Sequence, residues 1–166
     1  MEILKIAVEW AKSEVFSARF FVLFGLLFLL GSLGFWQLGK TEMAKAFIIP
    51  TLVAGLLLVI IGAGIFFTNK SRVTGFVEAY ESDADAFVAS EIVRTEKSMA
   101  EYRNIVFKAI PLIIVAAALV LLFIDTPLWR AIGITTLALM VVILVIDSNA
   151  NARIETYRTA LDTAVN

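Results

Sequence analysis

Four stretches of the chain are almost wholly apolar, and the charged residues gather in the short segments between and around them. The runs cover about residues 20–38, 46–68, 106–124 and 128–146. A hydrocarbon layer about 30 Å thick takes about 20 residues of α-helix to cross, at a rise of about 1.5 Å each. Each run is close to that length. Their apolar residues are continuous rather than alternating, which excludes the strands of a barrel. They also lack the polar stripe of a water-soluble bundle. The pattern therefore predicts an all-α integral membrane protein with four transmembrane helices arranged as two hairpins.

Between the second and third runs lies "EAYESDADAFVASEIVRTEKSMAEYR", residues 78–103, and here the period changes. Val73, Val77, Tyr80, Ala84 and Phe87 recur at helical spacing, as do Val88, Ile92, Thr95, Met99, Tyr102 and Val106. A reversal at "ESDAD", capped by Ser82 or Asp83, predicts a helical hairpin over 70–105. The tail 148–166 repeats the spacing with Ala150, Ile154, Tyr157, Leu161 and Ala164, and the head 1–19 places Ile3, Ile6 and Trp10 on one face. Helices this short are marginal alone, so they are expected to pack together or against other subunits as extensions of one membrane domain, residues 1–166. A competing arrangement lays the head flat among lipid headgroups. Pro111 is expected to bend the third span near Phe107, whereas Pro50 lies in the first turn of its helix and costs little.

Direction follows from Lys and Arg. With the N-terminus inside, eleven of the 14 lie on the inner side, and only Lys40, Lys45 and Arg130 lie outside. Trp36 and Trp129 then share the outer interface, where indoles settle. The outer connections, "GKTEMAK" and "DTP", are short, the second reading as a Thr126 cap with Pro127 at the first helical position. The expected location is the inner or plasma membrane, multi-pass, with both termini cytoplasmic. The first run exceeds a secretory apolar core and has no small-x-small cleavage site after it, so it reads as a retained anchor.

Composition reinforces this picture: 60% of residues are hydrophobic and 17% charged, and mean hydropathy is +0.90. The formal charge of −1 gives no field for nucleic acid. With no cysteine and no histidine, thiol chemistry, the common zinc sets and the commonest general base drop out. No nucleophile with its base, phosphate loop or metal spacing is visible, so no catalytic residue, cofactor or metal is assigned and the chain reads as a non-enzyme. The acidic cluster Glu78, Glu81, Asp83, Asp85 and Glu91 lacks EF-hand spacing and reads as a solvated helical tip.

Inside the spans no ionisable residue stands near mid-membrane, where a transporter or proton relay needs one. The interior polar residues are Ser32, Gln37, Thr51, Thr135 and Thr136. Small residues Gly25 and Ser32 in the first span, and Gly55 and Gly62 in the second, recur at a spacing of seven and predict close packing of these two helices. The expected function is a non-catalytic scaffold or accessory subunit. It would self-associate or dock partners, as a homo-oligomer or part of a membrane complex, through the face formed by Val77, Tyr80, Phe87, Ile92, Met99, Tyr102, Ile154, Tyr157 and Leu161. The alternative is a homo-oligomeric channel or pore with a largely apolar lumen touched by Ser32, Thr51, Thr135 or Thr136. The lipid bilayer is the one partner the composition implies, and no small-molecule ligand is assigned.

Overall fold

The computed structural model describes residues 2–165, helical except for short connections. Helix α1 runs over Glu2–Leu38, a short α2 over Glu42–Ala46 and α3 over Ile48–Ser82. After Asp83 come α4, Ala84–Glu101, a π-helical segment, Tyr102–Ala109, and α5, Ile110–Phe123. Helix α6 fills Pro127–Val165. Four continuous helical stretches are long and apolar enough to cross a membrane.

Local chemistry sets the breaks. Thr41 caps α2, its side chain accepting from the Ala44 amide at 3.1 Å. Asp83 takes an extended conformation and accepts from the Ala86 amide at 2.9 Å, which ends α3 and starts α4 in one residue. Ile124 is extended and stops α5. At the start of α6, the Thr126 carbonyl accepts from the Arg130 amide, and the Arg130 side chain pairs with Asp125 at 2.6 Å.

Pro111 sits just past a change of helix type. It has no amide hydrogen, and its ring crowds the carbonyl one turn back. The helix answers by widening over Tyr102–Ala109, with the Ile110 amide reaching the Ile105 carbonyl. Such π-helical turns are rare and gather at functional sites.

Two cores form along the molecule. One, in the apolar half, joins Phe21, Ala54, Leu58, Leu139 and Ile146. The other lies at the end that carries the head, the tail and the 70–105 segment, here the polar end. There Ile3, Ala7, Trp10, Ala11, Phe76, Phe87, Ile154, Tyr157 and Leu161 are buried together. Helix α1 packs most extensively along α3, while α5 approaches α6 but neither α1 nor α3. Outside the cores Leu30, Ile60, Leu112, Leu122 and Val145 are exposed, an apolar surface far wider than water-soluble monomers carry.

The head continues α1 without a break and buries Trp10 in the polar-end core, so it does not lie apart as in the flat arrangement. In α3 the core position is Phe76, and Val77 is exposed. In α4 the buried line is Phe87, Glu91 and Thr95, which keeps Phe87 and Thr95 of the predicted positions and puts Glu91 where Ile92 was expected. Ile92, Met99 and Tyr102 flank that line, half buried.

Candidate functional site

Glu91 stands among the acids that the sequence assigns to solvent, yet it is buried. A buried carboxylate needs a partner, because desolvation otherwise outweighs its charge. Arg94, three residues on, supplies a forked pair, with Nε to Oε1 at 2.8 Å and Nη2 to Oε2 at 2.6 Å. Tyr157 of α6 donates its hydroxyl to Oε2 at 2.9 Å. The Arg94 guanidinium lies 4.3 Å from the Trp10 ring centre, and Trp10 stacks on Tyr157 with centroids 5.4 Å apart. These four residues tie α1, α4 and α6 together.

One turn further toward the apolar half, Glu14 of α1 pairs with Arg153 of α6 at 2.9 Å. Burial holds the Glu14 carboxyl above the usual range, against the pull of Arg153, Arg72 and Arg94. Arg72 of α3 donates to the Asn69 side chain at 2.9 Å, and Asn69 in turn donates to the Ile65 carbonyl at 3.0 Å. No carboxylate pairs with Arg72 among the described residues. Burial and the like charge of Arg94 lower its pKa. Asp147 lies one residue past the fourth apolar run and also has no ion pair among the described residues. Burial, with Glu14 nearby, pushes its carboxyl up to about 6.

These groups surround one cavity of about 400 Å³ at the junction of the polar end with the apolar half. Its lining includes the cations Arg72 and Arg94 and the acids Glu14, Glu101 and Asp147. Trp10 and Tyr102 contribute rings, and Phe21, Ile65 and Ile146 an apolar floor. Tyr102, Ile105 and Val106 place the π-helical segment on its rim. The Trp10 indole N–H is buried without an acceptor. A second space of about 350 Å³ opens between α3 and α6, lined by Val53, Leu57, Thr135 and Leu139.

The chemistry available is binding by charge, ring and apolar contact. Among the described residues no three acidic side chains gather to hold a metal ion. Burial pushes the phenols of Tyr102 and Tyr157 far up, so both remain protonated donors.

Of the face singled out from spacing, Phe87, Ile154, Tyr157 and Leu161 lie inside the chain's own core, and Tyr80, Ile92, Met99 and Tyr102 pack against it. Only Val77 stands clearly outside. Most of these positions are therefore used in packing within the chain. Gly25 and Gly55 meet across α1 and α3: a Cβ on either would come within 2.9 Å of the other's carbonyl oxygen. Gly62 faces Phe21 and Ala18 in the same way. The Ser32 hydroxyl donates to the Ile48 carbonyl at 2.8 Å.

Sequence reasoning passed over the cavity because its groups come from four separated segments. Two signals were present: Glu91 and Arg94 at i,i+3 on a face with Phe87, and charged residues one turn beyond three different apolar runs. Comparison of the chain with protein-family models, with curated proteins and with solved structures gives no match in any of the three.

Proposed function

We propose that the chain is a multi-pass membrane protein, with both termini and the 70–105 segment in the cytosol. In this reading it serves as a non-catalytic scaffold or accessory subunit that presents a stiff helical bundle to a partner or a second copy. One observation carries it: apolar helices long enough to cross a membrane run unbroken into a bundle fixed by buried polar groups, the Trp10–Tyr157–Glu91–Arg94 cluster. Such a bundle moves as one body with the membrane helices, and its outer surface is what a partner meets. That surface offers Val77, Val93 and the acids Glu78, Glu81 and Asp85, all exposed. The buried face residues support the bundle rather than the contact.

No observation favours the pore. The hydroxyls of Ser32 and Thr51 donate to carbonyls of their own chain, at 2.8 Å and 2.7 Å, and both residues are buried.

Two measurements test the proposal. Asp85→Cys is expected to resist a membrane-impermeant maleimide on intact cells and to react after lysis. Photo-crosslinkers placed at positions 77, 81 and 93 are expected to give one adduct of defined mass, either twice the chain or the chain plus a second protein. Labelling of position 85 from outside overturns the orientation, and absence of adducts from all three positions overturns the docking role.

A further inference from the structure

We propose that the cavity at the junction binds a zwitterionic headgroup, a phosphate joined by a short arm to an ammonium, with the phosphate at Arg72 and the ammonium at Asp147. This goes beyond the docking role and needs no protein partner.

The charges select the ligand class. Arg94 is committed to Glu91 and Arg153 to Glu14, but Arg72 and Asp147 line the same space and, among the described residues, neither forms an ion pair. A half-buried guanidinium without a carboxylate has donors to spare, and Asn69 holds one of its nitrogens still. A bare anion would meet the repulsion of Glu14, Glu101 and Asp147, which line the same cavity. A bare cation would meet Arg72 and Arg94. A molecule with both charges can answer both sets.

The remaining features fit the same class. The ring of Tyr102 suits an ammonium. About 400 Å³ holds on the order of a dozen waters, enough for a headgroup, and the floor of Phe21, Ile65 and Ile146 continues it with apolar surface for the start of an acyl chain. The same chemistry is carried by a diacyl phosphatidylethanolamine and by soluble O-phosphoethanolamine.

Trp10 reports on the site once Trp36→Phe and Trp129→Phe have removed the other two indoles. The full chain in detergent is titrated with dioleoyl phosphatidylethanolamine or phosphatidylglycerol in mixed micelles, and with O-phosphoethanolamine. Phosphatidylethanolamine is expected to change the Trp10 emission saturably, with at least tenfold tighter binding than phosphatidylglycerol, which has the phosphate and no ammonium. Arg72→Gln is expected to weaken that binding at least tenfold, and Asp147→Asn to erase the preference between the two lipids. Lys70→Gln, exposed and outside the cavity, is expected to change neither. A response to the soluble compound alone assigns the site to a soluble ligand, and one confined to the diacyl lipid assigns it to the bilayer. Equal affinity for both lipids, no response to any probe, or undiminished binding by Arg72→Gln overturns the proposal. Should Arg72→Gln melt below the assay temperature, Arg72→Lys keeps the charge and loses the fork. Several-fold weaker binding is expected of it, and unchanged affinity there also overturns the proposal. Loss of lipid binding and loss of a crosslinked partner are separate readouts, so each proposal can fail alone.

Discussion

The hydroxyl of Tyr157 meets Oε2 of Glu91 at 2.9 Å, joining residues 66 positions apart in a fully enclosed contact. Helix α6 thereby holds the one carboxylate that keeps Arg94 over Trp10. Tyr157→Phe preserves the stacking on Trp10 and removes only the donor, so its expected cost is that of a hydrogen bond to a charged group, about 2 kcal/mol. Glu91→Gln is expected to cost more, because Arg94 loses its carboxylate as well. Melting of both single variants and the double variant in detergent measures the coupling. Additive losses would show that the contact carries no energy of its own.

Close approach in the apolar half makes a second, sharper contrast. Gly25→Ala would set a Cβ 2.7 Å from the Val59 side chain and 2.9 Å from the Gly55 carbonyl oxygen. Backbone must shift to admit it, and the expected cost is about 1–3 kcal/mol. Gly31, on the same helix, has nothing within 4 Å of the corresponding point. There alanine is expected to be neutral or to stabilise by up to about 1 kcal/mol through helix preference. Equal melting temperatures for the two variants would remove the small-residue stripe as the seam of α1 and α3.

The four apolar helices were legible because continuous hydrophobicity over about 20 residues has few other meanings. The turn at Asp83 was legible from a capping residue between two periodic stretches, and the stripe of Gly25, Ser32, Gly55 and Gly62 from its spacing. The register of the polar-end helices was not. Val77 and Phe76 are adjacent apolar residues, and a stripe drawn through either keeps the period. Glu91 was hidden for a deeper reason: its pairing with Arg94 is a local i,i+3 pattern, but its burial also depends on a tyrosine 66 positions away. Arg72 and Asp147 each look like ordinary flanking charges. Their shared cavity exists only once α1, α3, α4 and α6 have met.

Glu14 and Arg153 make a third test, because the two partners are unequally buried: the Glu14 side chain is 8% exposed and that of Arg153 28%. Removing the arginine strands a buried carboxylate, and Arg153→Met is expected to cost on the order of 3 kcal/mol at pH 7. Glu14→Gln leaves the more exposed cation, which water can reach, and is expected to cost less. Combining the two leaves no stranded charge and is expected to recover most of the loss. Burial already holds Glu14 above its ordinary value, so without Arg153 its proton is held more firmly still. The deficit of Arg153→Met is therefore expected to shrink as pH falls from 7 toward 5, and a deficit constant over that range would refute the stranded carboxylate.

Asp147 extends the same reasoning to the pH dependence of the intact chain. Its carboxyl titrates at about 6 in the folded protein against an ordinary value of 3.8, chiefly from burial and in smaller part from Glu14. Between those two values the folded state holds a proton that the unfolded chain has released, so stability falls as pH rises from about 4 to about 6 and levels above it. Glu14, raised in the same direction, contributes to the same slope, whereas Tyr102, raised far from this range, contributes nothing. Asp147→Asn removes the cost of an ionised carboxyl and is expected to melt at or above the unaltered chain at pH 7. It is also expected to flatten the profile, leaving the part that belongs to Glu14, and adding Glu14→Gln is expected to remove the rest. Melting temperatures in detergent from pH 4 to 8 decide the matter: an Asp147→Asn profile parallel to that of the unaltered chain would mean that the carboxyl is already solvated when the cavity is empty.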